Sequence, residues 1–217
     1  MSTTDTTSIK SKLQKALTNL LPGEEAHREM LPKGHQNRSE FDQKPTKQSS
    51  VLLVLFQDGA SISTCFIKRP STMKNHGGQM AFPGGKFEQK DADLIQTALR
   101  ETHEEIGISA SIIEILGALT PVHVQVSNFT ISPFVGWCTE KPVFKVDDSE
   151  VDQLFIVPLS KLQDKNTKSF KTVKTALGYL EAPGYSVEQS FIWGATGMIL
   201  TEFLAIYSNI IEEKATT

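Results

Sequence analysis

Between Gly84 and Gly107 the chain sets three carboxylates on one side of a short helix and brackets that helix with glycine. Gly84-Gly85-Lys86-Phe87-Glu88 precedes it, and Leu99-Arg100-Glu101-Thr102-His103-Glu104-Glu105-Ile106-Gly107 carries it to its end. At about 100° per residue, Glu101, Glu104 and Glu105 share an arc of roughly 100°, while Ile95, Ala98, Leu99, Thr102 and Ile106 share a separate arc of similar width. One face is therefore buried and the other acidic. Asp91 or Asp93 can cap the first turn, and Gly107 stands where a helix commonly ends in a left-handed residue, which predicts a helix over about 92–106.

Carboxylates three or four positions apart on a helix repel one another. Arg100 offsets part of that charge and a cation would offset the rest. Oxygen donors favour Mg2+, Mn2+ or Ca2+ over zinc, and Mg2+ is the ion that shares its coordination sphere with phosphate oxygens. An ordinary solvated helix face can carry the same acidic string. Such a face has no need of the Phe82-Pro83-Gly84-Gly85 turn in front of it or of the glycine behind it. Read from the residues alone, the segment holds a hard divalent cation against a phosphate, and the chain is an enzyme acting on a diphosphate.

These residues resemble the signature of the Nudix hydrolases, with Gly85, Arg100, Glu101, Glu104, Glu105, Gly107 and Ile108 in its places. Asp91 stands at the early glutamate position with one extra residue before Arg100, and Thr102 stands at an aliphatic position. The resemblance implies an α/β fold, a Nudix-type α/β/α sandwich around a mixed β-sheet. It also implies Mg2+ held by Glu101, Glu104, Glu105 and the Gly85 carbonyl, with Mn2+ able to substitute. Arg100 orients the carboxylates, braced by Asp91 or Asp93. Glu104 and Glu105 are the catalytic carboxylates. The general base is Glu105 or a loop acid from the region holding Glu140, Asp148 and Glu150, with Glu150 the second candidate. His103 points away from the ligands by about 60° or more and is left out of the metal site.

A further likeness concerns the coenzyme A pyrophosphatase branch of that family. Cys65-Phe66-Ile67-Lys68-Arg69-Pro70, Lys74, Gly78 and Phe82-Pro83-Gly84-Gly85 follow its upstream pattern, with Pro70 for a small residue and Lys74 for arginine. Leu21 to His27 with Met30, Glu150-Val151 before Phe155 to Leu159, and Phe191 to Thr196 resemble other parts of it. The substrate implied is coenzyme A or a derivative, cleaved to 3′,5′-ADP and 4′-phosphopantetheine or its acyl form. Arg69, Lys74 and His76 are candidate phosphate contacts, since a 3′-phosphate needs cationic partners. ADP-ribose, NADH or a dinucleoside polyphosphate is the alternative substrate. The alternative of another class is a ligand-sensing module with the fold but no catalysis.

The length of 217 residues and 39% hydrophobic content suit one soluble domain. We divide it into an N-terminal helix and polar lead-in over 1–45, a catalytic domain over 46–212 and a tail over 213–217. A net charge of −3 without a basic stripe argues against nucleic acid as a partner. The expected partner is a small nucleoside diphosphate, with a homodimer left open. Cys65 and Cys138 lie in apolar, strand-like runs and read as buried free thiols. The N-terminal residues lack an apolar secretory core, and no stretch approaches the length of a membrane span, so the expected location is cytoplasmic with no membrane partner.

Helical spacing covers Ile9 to Leu21, where Pro22-Gly23 should stop it, and 31–50 reads as a polar loop. Strands are predicted at 51–56, 62–68, 110–119, 122–127, 131–139, 153–157, 168–174 and 184–188, with a short helix after Pro158 and a last helix over 193–212.

Overall fold

The structure, a computed structural model, describes residues 3–32, 46–73, 76–175 and 178–215. Two helices, α1 (Thr3–Ala16) and α2 (Gly23–Arg28), precede four strands, β1 (Lys47–Asp58), β2 (Ser61–Lys68), β3 (Met80–Ala81) and β4 (Gly84–Lys86). Then come α3 (Leu94–Ile106), β5 (Ile113–Ala118), β6 (Val122–Val124), β7 (Phe129–Cys138), β8 (Gln153–Pro158) and α4 (Leu159–Gln163). The chain closes with β9 (Lys168–Thr175), β10 (Gly178–Val187), β11 (Ser190–Trp193) and α5 (Gly194–Ala215).

Among the described residues, eight strands form one mixed sheet whose central path runs β3-β2-β1-β7-β5. The apolar run of β1 is that of a strand buried on both faces. Its side chains alternate between two cores: Leu52, Val54 and Phe56 pack on one side with Ala98, Leu99 and Ile106 of α3, and Leu53 and Leu55 pack on the other with Ile199, Leu200 and Phe203 of α5. This is the expected sandwich around a mixed sheet, since β1 runs parallel to β7 and antiparallel to β2.

β1 and β2 pair only near their shared hairpin, from Leu55–Thr64 to Asp58–Ser61. Beyond it they part, and the Met80–Lys86 segment fills the fork. Its first half pairs with Ile67 and Lys68 of β2, its second half with Ser49 to Val51 of β1, and Leu52 N–H donates to the Pro83 carbonyl at 2.9 Å between them. The predicted glycine turn is thus two short strands wedged into the sheet.

Other boundaries also differ from the sequence pattern. The 31–50 loop ends early, because Lys47 to Ser50 are held as strand by Phe129 to Ser132 of β7; residues 33–45 lie outside the described ones. The 110–119 strand starts late, because the Ser109 side chain accepts the Ser111 N–H and turns Ala110–Ile112 into a 3-10 helix. β6 stops at Val124, short of 127. The 184–188 strand is the end of the longer β10, which pairs with both β9 and β11, an unpredicted strand reached through Glu188 at φ 52°. α1 covers Thr3–Ala16 in place of Ile9 to Leu21, and α2 forms where a stop was expected.

The cause of α2 is tertiary. Glu202 of α5 is fully buried, and its carboxylate accepts N–H bonds from Gly23 at 3.1 Å and Thr120 at 3.1 Å and the Thr120 hydroxyl at 2.6 Å, and meets the His27 ring at 3.1 Å. The helix that carries it corrects the expectation that no stretch approaches the length of a membrane span. Gly194–Glu212 is long and apolar enough by length and composition, with Thr201 and Glu202 hiding the fact from a count of apolar runs. In this fold that helix covers the sheet instead, and 56% of the stretch is buried. Cys65 and Cys138 are buried free thiols, as read from the sequence.

Burial alone would raise the Glu202 carboxyl pKa, but the bonds from His27 and Thr120 outweigh it and hold the group below its ordinary value. The unfolded chain therefore binds that proton first on acidification. The stability Glu202 contributes is present above the ordinary carboxylate range and is lost as the pH falls through it and below. Urea unfolding across that range should show a shallower acid dependence for Glu202→Gln. His27→Ala, which strips a partner from a buried carboxylate, should cost about 2–4 kcal/mol near neutral pH.

Candidate metal and phosphate site

α3 begins and ends as its sequence dictates. Asp93 is the N-cap, with its side chain accepting the Gln96 N–H at 2.8 Å, and Gly107 closes the helix at φ 76° with its N–H on the His103 carbonyl. A Cβ on Gly107 would also lie 2.7 Å from Lys145 Cβ, so the chain passing behind the helix requires glycine twice over.

With Asp93 occupied as a cap, Asp91 is the acid that braces Arg100. The guanidinium donates to Asp91 Oδ1 from Nε at 2.8 Å and to Oδ2 from its second terminal nitrogen at 3.1 Å. Thr97 Oγ1 and the Glu88 N–H complete the shell of Asp91, which is buried, and the Arg100 bonds hold its carboxyl well below the usual carboxylate range. The same guanidinium reaches the Lys86 carbonyl at 3.2 Å, Glu101 Oε1 at 2.8 Å and Glu104 Oε2 at 2.7 Å. One planar cation thus joins the end of β4, the loop before α3 and two of its glutamates.

The glycines bring the other side of the site into contact. Gly84 donates its N–H to Glu105 Oε2 at 2.8 Å, and at φ 153° it lies so close to Ser50 and Val51 of β1 that a Cβ would overlap them. A Cβ on Gly85 would overlap the Glu101 carboxylate. Only a bare backbone brings this strand against the acids.

Carboxylate oxygens of Glu101, Glu105 and Glu150 lie within 4.8 Å of one another. Glu105 is 2% exposed, and burial pushes its carboxyl up to about 8, with the charges of Glu101 and Glu150 adding to the rise and the Gly84 N–H and Arg69 opposing it. Burial likewise raises Glu101. Three converging oxygen donors, two of them reluctant to ionise without a counter-charge, are what a hard divalent cation needs.

The expected residues divide as follows. Glu101 and Glu105 converge, with the Gly85 backbone against Glu101. Glu104, expected in the metal set, lies outside the triplet: its side chain is 44% exposed and held by Arg100 and by Lys90 at 3.7 Å. The third member of the triplet is Glu150, which the sequence raised only as a base; as a loop acid far along the chain from α3, it had no spacing signal toward these acids. Arg69 directly follows β2, with its N–H on the Gln79 carbonyl, and its charge acts on Glu105. His76 is exposed at φ 58° with its ring on Gln79 Oε1 at 3.0 Å, a loop arrangement that brings it no triplet partner. Lys74 lies outside the described residues. His103 is exposed and away from the triplet, as the helical wheel indicated.

Replacing Arg100 with alanine leaves the buried Asp91 carboxylate without its cation. Denaturant unfolding should register a loss of about 3–5 kcal/mol. Arg100→Lys should recover less than half of it, because an ammonium cannot serve Asp91, Lys86 and Glu104 at once.

The NUDIX domain family model matches residues 46–176. A Schizosaccharomyces pombe protein named as a probable nudix hydrolase is 32% identical over 176 residues, covering 78% of this chain and 61% of its own. A Yersinia enterocolitica protein named uncharacterized Nudix hydrolase NudL is 36% identical over 135 residues, covering 61% of this chain and 68% of its own. The alignments thus span about two thirds or less of these relatives' lengths. Among solved structures, a MutT/nudix family protein from Enterococcus faecalis superposes with a TM-score of 0.51 at 14% identity, over 82% of this chain and 66% of that one, a likeness of fold alone. Since the family model matches more than half of this chain, the chain belongs to the Nudix family.

Proposed function

We propose that the protein is a Mg2+-dependent hydrolase of nucleoside diphosphate derivatives, and that its substrate is coenzyme A or an acyl derivative, released as 3′,5′-ADP and 4′-phosphopantetheine or its acyl form. The observation that carries the reaction class is the convergence of Glu101, Glu105 and Glu150 beside the Gly84–Gly85 strand. The coenzyme A assignment draws support from the upstream residues that resemble that branch, Arg69 to Gly85 above all, and from the placement of Arg69 within electrostatic reach of the triplet.

Glu101, Glu105 and Glu150, with the Gly85 backbone, are the groups that would hold the cation. When bound, Mg2+ would polarise the phosphoryl group and make a nearby water more acidic. Glu105 and Glu150 are the two acceptors for the proton of the attacking water. Arg69 neutralises substrate phosphate. Arg100, saturated by Asp91, Glu101, Glu104 and Lys86, keeps the carboxylates in register and has no donor left for substrate.

A panel of coenzyme A, acyl and oxidised forms, ADP-ribose, NADH and diadenosine polyphosphates, assayed with Mg2+ and read as kcat/KM, tests both levels. Coenzyme A or an acyl form should lead; ADP-ribose or NADH in front would move the substrate assignment, and turnover of none would favour a sensing module. Glu105→Gln should lower kcat/KM on the best substrate by ~10²-fold or more. Arg69→Ala should act mainly on KM, raising it by ~10-fold.

A further inference from the structure

Glu150 is exposed, yet its carboxylate comes within 4.8 Å of those of Glu101 and Glu105, and among the described residues no hydrogen bond of its own side chain fixes it there. The backbone around it does so. As the chain returns past α3, the Lys145 N–H donates to the Ile106 carbonyl at 2.9 Å and the Asp147 N–H to the Glu105 carbonyl at 3.0 Å, using acceptors that the helix end leaves open. After Glu150, Val151 is buried in the same core as α3, and the Asp152 N–H donates to the Lys68 carbonyl at 2.8 Å while its carboxylate pairs with Lys68 Nζ at 3.2 Å. Between these two anchors lies a single turn.

That turn is closed by Asp147. Its carbonyl accepts from the Glu150 N–H at 3.0 Å and the Val151 N–H at 2.9 Å, and its Oδ1 accepts from the Ser149 N–H at 2.9 Å and the Ser149 hydroxyl at 2.6 Å. We propose that Asp147 is a positioning residue: its carboxylate sets the turn that carries Glu150 into the carboxylate triplet. The proposal rests on reading the triplet as the cation site. The Ser149 bonds also hold the exposed Asp147 carboxyl below its ordinary range, so the charge that shapes the turn persists into mild acid.

The Asp147 side chain is exposed and makes its bonds within the turn, where water can replace them, so its loss should show at Glu150 and not in the stability of the core. Manganese titration of the full chain, followed by electron paramagnetic resonance, tests this on Asp147→Ala, Asp147→Asn, Glu150→Gln and the Asp147→Ala/Glu150→Gln double variant. Asp147→Ala should bind Mn2+ ~10-fold more weakly at an unchanged melting temperature, while Asp147→Asn, which keeps an acceptor oxygen, stays within ~2-fold of wild type. The double variant should bind no more weakly than Glu150→Gln, because Asp147 acts only through Glu150. Wild-type affinity in Asp147→Ala, or losses that multiply in the double variant, would overturn the proposal. Wild-type affinity in Glu150→Gln would instead remove Glu150 from the cation site and the proposal with it. Ser149→Ala, which removes one of the two donors, should give a smaller loss in the same direction and serves if Asp147→Ala does not fold.

Discussion

Like charges cannot be gathered at a few ångströms without something to hold them, and the architecture of the site follows from that constraint. Glu105 is fixed by one backbone N–H, Glu101 by Arg100, and Glu150 by its turn. None of the three depends on the others for its position. A preset cage leaves the repulsion unrelieved, and at Glu105 the charges of Glu101 and Glu150 add to a rise in pKa that burial mainly causes. The cation would then relieve a tension already built into the protein instead of ordering loose side chains around itself.

The sheet supplies the rigid frame. The glycine strand lies in a fork between β1 and β2, so its position is set by ladders on both sides and by the Leu52 N–H in the gap. α3 is packed on β1 by Ala98, Leu99 and Ile106 and tied to the fork by Arg100 through Lys86. The two parts of the signature that the sequence shows as neighbours are therefore joined by three kinds of contact, namely sheet ladder, core packing and charged hydrogen bonds.

The helix, its caps, its buried face and two of the three converging acids were legible because they follow local rules of period and capping. Even the deep burial of Glu105 is visible in retrospect, since on the wheel it borders the apolar arc nearest Ala98. What local rules miss is contact between distant segments. Glu150 has no periodic relation to α3; α2 exists because a carboxylate of α5 receives its first N–H; Lys47 to Ser50 are strand because β7, and at Ser49 and Ser50 also β4, run beside them. Glu104 stands apart from the three for a related reason: the wheel gives the side of the helix, while Arg100 holds which way a surface carboxylate on that side turns.

Glu202 gives the fold a keystone well away from the chemistry. A single anionic side chain within the closing helix receives the start of α2, the His27 ring and the strand entry at Thr120, so segments from the first, middle and last parts of the chain converge on one unit of charge. The opening helices are consequently no detachable appendage. A version cut back to the matched 46–176 core would lack the acid and leave Thr120 without its acceptor, and one trimmed only at the front would leave a buried carboxylate held by Thr120 alone.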